Sequence, residues 1–283
     1  NSASGAPIAL TKVGLGTLTL AGSSLHHGPT IISSGTLALS GSGTIVNSPT
    51  LELAAGAVLD ASARTDGALV LNSGQTLFGE GVVRGSITVQ SNATVSPGPA
   101  AGAIGKLTIT NALTLQPGGI LLMEVDHSSA TNDVIEGLAS VTYGGTLSLN
   151  VYGVDLTSNF KLFDAAVYGG AFDAITPASP GSGWVWDPSS LTVDGTLKVK
   201  NFVLTQPSIT TVSVTGLDLT LSGTGGPAYL SYTVYASADL SLPLAAWSPI
   251  GTGNFKADGS FVFTTSVETS GPQQFYAVQY LTP

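Results

Sequence analysis

One phrase returns along this chain and constrains what it can fold into. Gly16-Thr-Leu-Thr-Leu20 is followed by Gly35-Thr-Leu-Ala-Leu39 and Gly43-Thr-Ile-Val46. Variants continue as Thr50-Leu-Glu-Leu53, Ala68-Leu-Val-Leu71, Gly85-Ser-Ile-Thr-Val89, Lys106-Leu-Thr-Ile109 and Ala112-Leu-Thr-Leu115. Each phrase is as long as one strand and places two apolar residues at alternate positions, hence on one face. Gly, Asn, Ser and Pro fall between the phrases, at Gly28-Pro29, Asn47-Ser-Pro49, Asn72-Ser-Gly74 and Pro117-Gly-Gly119. Those are turn formers. Re-use of one short unit marks folds built by stacking.

Two all-β solutions fit short strands at short spacing, a solenoid and a sandwich. Repetition of the same phrase favours the solenoid from Leu10 to about Val125. Its stacked Leu, Ile and Val doublets form one elongated core. After Asp126 the strand units lengthen and aromatics gather at Phe160, Phe163, Tyr168, Phe172, Trp184 and Trp186. Large side chains suit the closing of a solenoid end. Six further strand-like runs follow, from Val212 to Tyr280, at the spacing of a small β-sandwich. The expected fold is therefore all-β. An extension over 1–11, available as a donor strand, precedes a β-solenoid over 12–125 and its aromatic-rich closing region over 126–200. A linker over 201–208 leads to an immunoglobulin- or fibronectin-like β-sandwich over 209–283.

Only 9% of residues are charged, with eight Lys and Arg and a net charge of −9. No basic run is present to neutralise phosphates, which excludes a nucleic-acid partner and disfavours anionic lipid. No stretch approaches the roughly 18 apolar residues of a membrane-spanning helix. The chain has no cysteine, so neither disulfides nor a thiolate metal site are expected.

The segment Leu10–Lys200 resembles the autotransporter-associated β-strand repeat proteins. The residues that carry the resemblance are Gly14-Leu-Gly-Thr-Leu-Thr-Leu-Ala-Gly22 and Gly28-Pro-Thr-Ile-Ile-Ser-Ser-Gly-Thr-Leu37. Thr131-Asn-Asp-Val-Ile135, followed by Tyr143-Gly-Gly-Thr-Leu147, is similar to the passage that closes many passenger domains. The resemblance implies a β-helical, secreted bacterial protein at the cell surface or outside the cell, not a reaction. The last eighty residues look like a C-terminal module of such proteins, on the strength of Gly223-Thr-Gly-Gly-Pro227, Tyr232-Thr-Val-Tyr-Ala-Ser237, Trp247 and Gln274-Phe-Tyr276. No strand series resembles an outer-membrane barrel with a terminal aromatic, and the chain begins at Asn1. The expectation is export by a signal peptide absent from this chain, without a barrel of its own.

Candidate chemistry is sparse. Asp126, Asn132, Asp133 and Glu136 are the densest polar cluster, but the alternating spacing of a calcium loop is missing. They read as turns and caps. Asp60, Asp66 and Glu80, with Arg64 and Arg84, could line one face of a polysaccharide-cleaving solenoid, yet no cluster of acids and bases accompanies them. His26-His27 lacks a third ligand and reads as an exposed turn. Asn92-Ala-Thr94 matches a glycosylation sequon in a Thr-rich chain. Trp184 and Trp186 share one side of a strand and read as core closure in preference to glycan stacking.

No catalytic residue, metal or cofactor is expected, and the chain reads as a non-enzyme. The leading expectation is an extracellular structural protein that assembles head-to-tail with other copies of itself into a filament. The residues expected at that contact are Ile8, Leu10, Leu18 and Leu20 at one end, with Phe275 and Tyr276 in the C-terminal module. The alternative is an adhesin whose solenoid is a stalk and whose module presents loops such as Leu240–Ala246 to a glycan or protein. A polysaccharide-degrading enzyme ranks third.

Overall fold

The computed structural model describes residues 7–100, 102–153, 159–202, 206–266 and 273–280. The chain divides into two compact units, Asn1–Pro177 with Pro188–Lys198, and Ala178–Asp187 with Val199–Pro283.

The first unit is the expected solenoid. The coils build three parallel sheets. The first sheet stacks Leu10–Lys12, Thr30–Ile32, Thr50–Leu53, Thr76–Gly79, Thr94–Pro97, Ile120–Asp126, Thr146–Tyr152 and Ala174–Thr176. The second runs through Thr17–Leu20, Thr36–Gly41, Val58–Arg64, Val82–Arg84, Lys106–Ile109, Val134–Leu138 and Phe163–Ala165. The third opens at the third coil, with Ala68–Leu71, Ser86–Val89, Ala112–Leu115, Ser140–Tyr143 and Tyr168–Gly170. Earlier its place is held by the parallel bridge between Ser23 and Thr44.

The register explains the repeated doublets. Leu51, Leu77, Val95, Leu121, Leu147 and Ile175 pair in succession into one inward column of the first sheet. Leu37, Leu59, Val83 and Ile109 do the same in the second, and Leu69, Ile87, Leu113 and Val141 in the third. All of them are buried. At about 1.5–3 kcal/mol per buried aliphatic side chain, these columns are the main stabilising term. Coil length is irregular: 18 residues separate Leu77 from Val95, while 28 separate Leu147 from Ile175. Short corners bring backbones into close contact. Gly79, at φ 131°, turns such a corner, and a Cβ there would stand 2.0 Å from the Leu53 carbonyl oxygen.

The far end of the solenoid is closed. Tyr143, Phe163 and Phe172 are buried together, with ring centroids 4.9 to 6.3 Å apart. The Tyr143 hydroxyl donates to the Leu191 carbonyl at 2.9 Å. Leu191 opens a one-turn helix, Leu191–Asp194, that Gly195 ends in the left-handed conformation. Beyond it Leu197 pairs antiparallel with the buried Phe160. This is the aromatic-rich closing region read from the sequence.

The second unit is a small antiparallel sandwich. One sheet holds Ser208–Thr215, Asp218–Thr224 and Phe261–Ser266, the other Ser248–Asn254, Ser231–Ser237 and Phe275–Tyr280. Leu219, Leu221, Leu230, Tyr232, Val234, Phe255 and Phe261 form its core. Val185 belongs to the same core, so Ala178–Asp187, read from the sequence within the closing region, is grouped with this unit.

Candidate functional site

The two ends of the solenoid differ in chemistry. Leu10–Lys12 and Thr17–Leu20 are the terminal strands of their sheets, and each pairs with the next coil alone among the described residues. No aromatic layer or helix lies over this first coil among the described residues. Ile8, Val13, Leu15, Leu18 and Leu25 are all exposed, Leu15 to 92%. Such a run of apolar residues on a surface marks a contact site more often than a solvated face.

Lys12 is the only charged residue before Glu52, and it is turned inward. Its position falls on the inward column, paired with Ile32 and then Leu53. The side chain is buried, and Nζ donates to the carbonyls of Val13, Gly14 and Ser34 at 3.0, 2.6 and 3.1 Å. The ammonium satisfies carbonyls at the mouth of the coil but leaves the strand edges free. Natural edge strands are usually guarded by charge; Thr17–Leu20 carries none.

The expected assembly residues thus fall at two places. Ile8, Leu18 and Leu20 belong to the open coil, with Leu10 half-buried in its first strand. Phe275 and Tyr276 open the sandwich strand Phe275–Tyr280 and are half-buried; Tyr276 packs against the core.

The other polar candidates have structural partners. Ser24 Oγ lies 2.7 Å from His26 Nδ1, and His26 Nε2 lies 2.7 Å from Thr30 Oγ1. The Thr30 hydroxyl donates to Ser48 Oγ at 2.9 Å, and Ser48 donates to the Gly28 carbonyl at 2.9 Å. With the Thr30 proton committed, Nε2 is the donor toward Thr30 and Nδ1 accepts from Ser24. Burial, then the neighbouring His27, hold the His26 pKa below its usual value. The chain of hydrogen bonds ends on a backbone carbonyl and ties the second coil to the third.

Asp66 pairs with Arg64 at 2.9 Å, which pulls its carboxyl down to about 2. Asp60 pairs with Arg84 at 3.7 Å, across neighbouring strands. Asp126 accepts from the Ser128 amide and the Ser129 hydroxyl, Asn132 donates to the Lys161 carbonyl, and Glu136 pairs with Lys106. Trp186 is buried and Trp184 half-buried.

Sequence reasoning missed the partner of Asp133. Asp133 Oδ1 accepts from the Gly105 amide at 2.7 Å and Oδ2 from the Glu124 amide at 2.9 Å. Glu124 Oε1 accepts from the Gly102 amide at 3.1 Å and from Asn150 Nδ2 at 2.8 Å. Both carboxyls are fully buried. Burial, and then hydrogen bonding to Glu124, push the Asp133 carboxyl up to about 8. An acid inside Ile-Leu-Leu-Met-Glu-Val-Asp126 was the available signal.

Fold and register define this protein's class as a parallel β-solenoid that carries a β-sandwich. Residues 10–39 match the family model described as passenger-associated-transport-repeat. The match contains both phrases, Gly14–Gly22 and Gly28–Leu37, that carry the resemblance, and it spans the open coil. The match supports a passenger-type repeat in those coils, and the strand-rich solenoid agrees with it. No curated protein matches it significantly. No helix among the described residues is long and apolar enough to cross a membrane.

Proposed function

We propose that this protein is a non-enzymatic structural component outside the cell, which assembles through its open first coil into a filament with head-to-tail contacts. One observation carries the reading: one solenoid end is sealed by an aromatic layer and a helical turn, while the other offers strand edges whose lone charge, Lys12, is turned inward, beside exposed Val13, Leu15, Leu18 and Leu25. A sealed end cannot receive the open end of another copy by continued stacking of coils. The acceptor therefore lies elsewhere on the partner copy, which makes the contact heterologous and able to propagate. Electron microscopy of purified chain, with sedimentation velocity over a concentration series, tests this. Filaments or a concentration-dependent ladder of oligomers are expected; a monomer at every concentration refutes it.

A second reading, as an adhesin, draws on the loop before Trp247. Leu240 and Leu242 are exposed there, and Trp247 Nε1 braces the loop by donating to the Leu242 carbonyl at 3.0 Å. Glycan-array binding by the intact chain, lost on Leu240→Ser with Leu242→Ser, favours that reading.

A further inference from the structure

Ser208–Thr215 is one of the edge strands of the sandwich. It is the longest strand of this unit and, among the described residues, pairs on one side only, with Asp218–Thr224. Val212 and Val214 stand opposite Leu221 and Leu219, so they point to the core side of the sheet. Leu221 and Leu219 are buried, yet Val212 and Val214 are 56% and 58% exposed. Ile209 packs against the core, but the far half of the strand is uncovered, which leaves an aliphatic pair on the inner face beside a backbone edge unpaired among the described residues. The strand reads Ser-Ile-Thr-Thr-Val-Ser-Val-Thr215 and holds no charge. Nothing in it guards against pairing with another chain.

Resting on the assembly reading above, we infer that this edge receives the open first coil of a second copy, whose strand Thr17–Leu20 adds to Ser208–Thr215. The two strands match in period. Leu18 and Leu20 alternate with Thr17 and Thr19, as Val212 and Val214 alternate with Ser213 and Thr215. One face of the joined pair is aliphatic and continues both cores. The other face is hydroxylated and stays wet. Strand addition of this kind takes affinity from the backbone and specificity from alternate side chains, and aliphatic pairs across the joint add to both.

Charge selects this partner over a like one. Residues 1–51 contain Lys12 and no acid, whereas residues 208–283 contain Asp218, Asp239, Asp258 and Glu268 against Lys256. Joining two sandwich edges brings together two negative modules, and joining two first coils brings together two positive ends. Only the mixed contact opposes unlike charge, in a chain whose net charge of −9 otherwise keeps copies apart.

The absence of cysteine permits a direct test. Thr19→Cys and Ser213→Cys chains are oxidised separately and as a mixture, at a concentration where the wild type oligomerises by sedimentation. The inference expects a disulfide-linked dimer in the mixture and monomer in each separate sample. It also expects Val212→Lys with Val214→Lys, and separately Leu18→Lys, to raise the half-assembly concentration on the order of tenfold or more. Far-UV circular dichroism of these variants is expected to match wild type, since the replaced valines are exposed. Links within a single variant, or undiminished assembly of the double-lysine chain while Leu18→Lys still abolishes it, overturn the inference and leave the assembly reading standing. A wild-type chain that stays monomeric overturns both.

Discussion

Replacing Glu124 by Gln should weaken a pH dependence that the buried Asp133 carboxyl imposes on the solenoid. In the folded protein Asp133 holds its proton up to about 8, against a usual value near 4 when unfolded. A carboxyl raised in this way stabilises the fold fully below its unfolded pKa and loses that contribution as pH rises toward the folded value. Over the interval the unfolded chain binds fewer protons than the native one. Stability therefore falls by about 1.4 kcal/mol per pH unit, or roughly 3 kcal/mol from pH 5 to pH 7. Asp66, Asp126 and Asp239 work the other way, because their carboxyls are depressed. Their contribution is lost only as pH falls below the carboxylate range, so they are silent in this window. In the Glu124→Gln chain the acidic neighbour that adds to the raised Asp133 value is replaced by a neutral amide. Oε1 still accepts from Gly102 and Asn150, and Asp133 keeps both backbone donors. The variant should match wild type at pH 5 to within about 1 kcal/mol, fall less steeply toward pH 8 because burial alone still raises Asp133, and exceed wild type there. Urea denaturation followed by far-UV circular dichroism measures this. All three tryptophans, Trp184, Trp186 and Trp247, lie in the second unit, so their fluorescence supplies a control without the slope. A variant that keeps the wild-type slope refutes a contribution of Glu124 to the raised Asp133 value.

Gly79→Ala forces a Cβ against the Leu53 carbonyl at a φ that L-residues avoid; the expected result is a loss of several kcal/mol, read as a large drop in Tm or failure to accumulate soluble chain. Lys12→Met leaves three carbonyls at the mouth of the coil without their donor, and should cost about 1–3 kcal/mol locally. Hydrogen exchange should quicken at Ser33 and Thr36, whose amides bond to Lys12 and Gly16, while later coils stay protected. Phe163→Ala opens the aromatic layer at the sealed end and should cost about 3–5 kcal/mol, whereas Tyr143→Phe removes one hydrogen bond and should cost about 1 kcal/mol; thermal denaturation ranks the two.

Much of the fold is written in the doublets, since a pair such as Leu69 and Leu71 can be buried only if another pair lies above and below it. The stacking interval is not written there. The second sheet is reached by a short corner from Ile32 to Thr36 and from Gly79 to Val82, but only after an excursion between Pro97 and Lys106. Both kinds of corner use the same small residues, so turn signals locate corners without fixing coil length. The grouping of Ala178–Asp187 was hidden for a related reason. An aromatic strand such as Trp-Val-Trp186 suits the sealing of a solenoid and the filling of a sandwich equally well. Glu124 escaped notice because its position alternates with Met123 and Val125 and so reads as outward. It is outward, and becomes buried when Gly102, Gly105 and Asp133 close over it.

The scarcity of charge has one physical cause and one consequence. Parallel strands lie about 4.8 Å apart, so like charges on successive coils repel at close range. The outward charges obey that limit: Asp60 faces Arg84 on the next strand, and Lys106 reaches Glu136 on the next. A ladder with so few charges keeps few to guard its edges. In the first coil only Lys12 remains, and its ammonium is spent on internal carbonyls. The composition that lets coils stack within one copy therefore also leaves the first strand competent to pair with the next, and an added charge at Leu18 separates the two effects. Within the copy, Leu18 lies at the end of its column and its loss is local; between copies it sits at the joint.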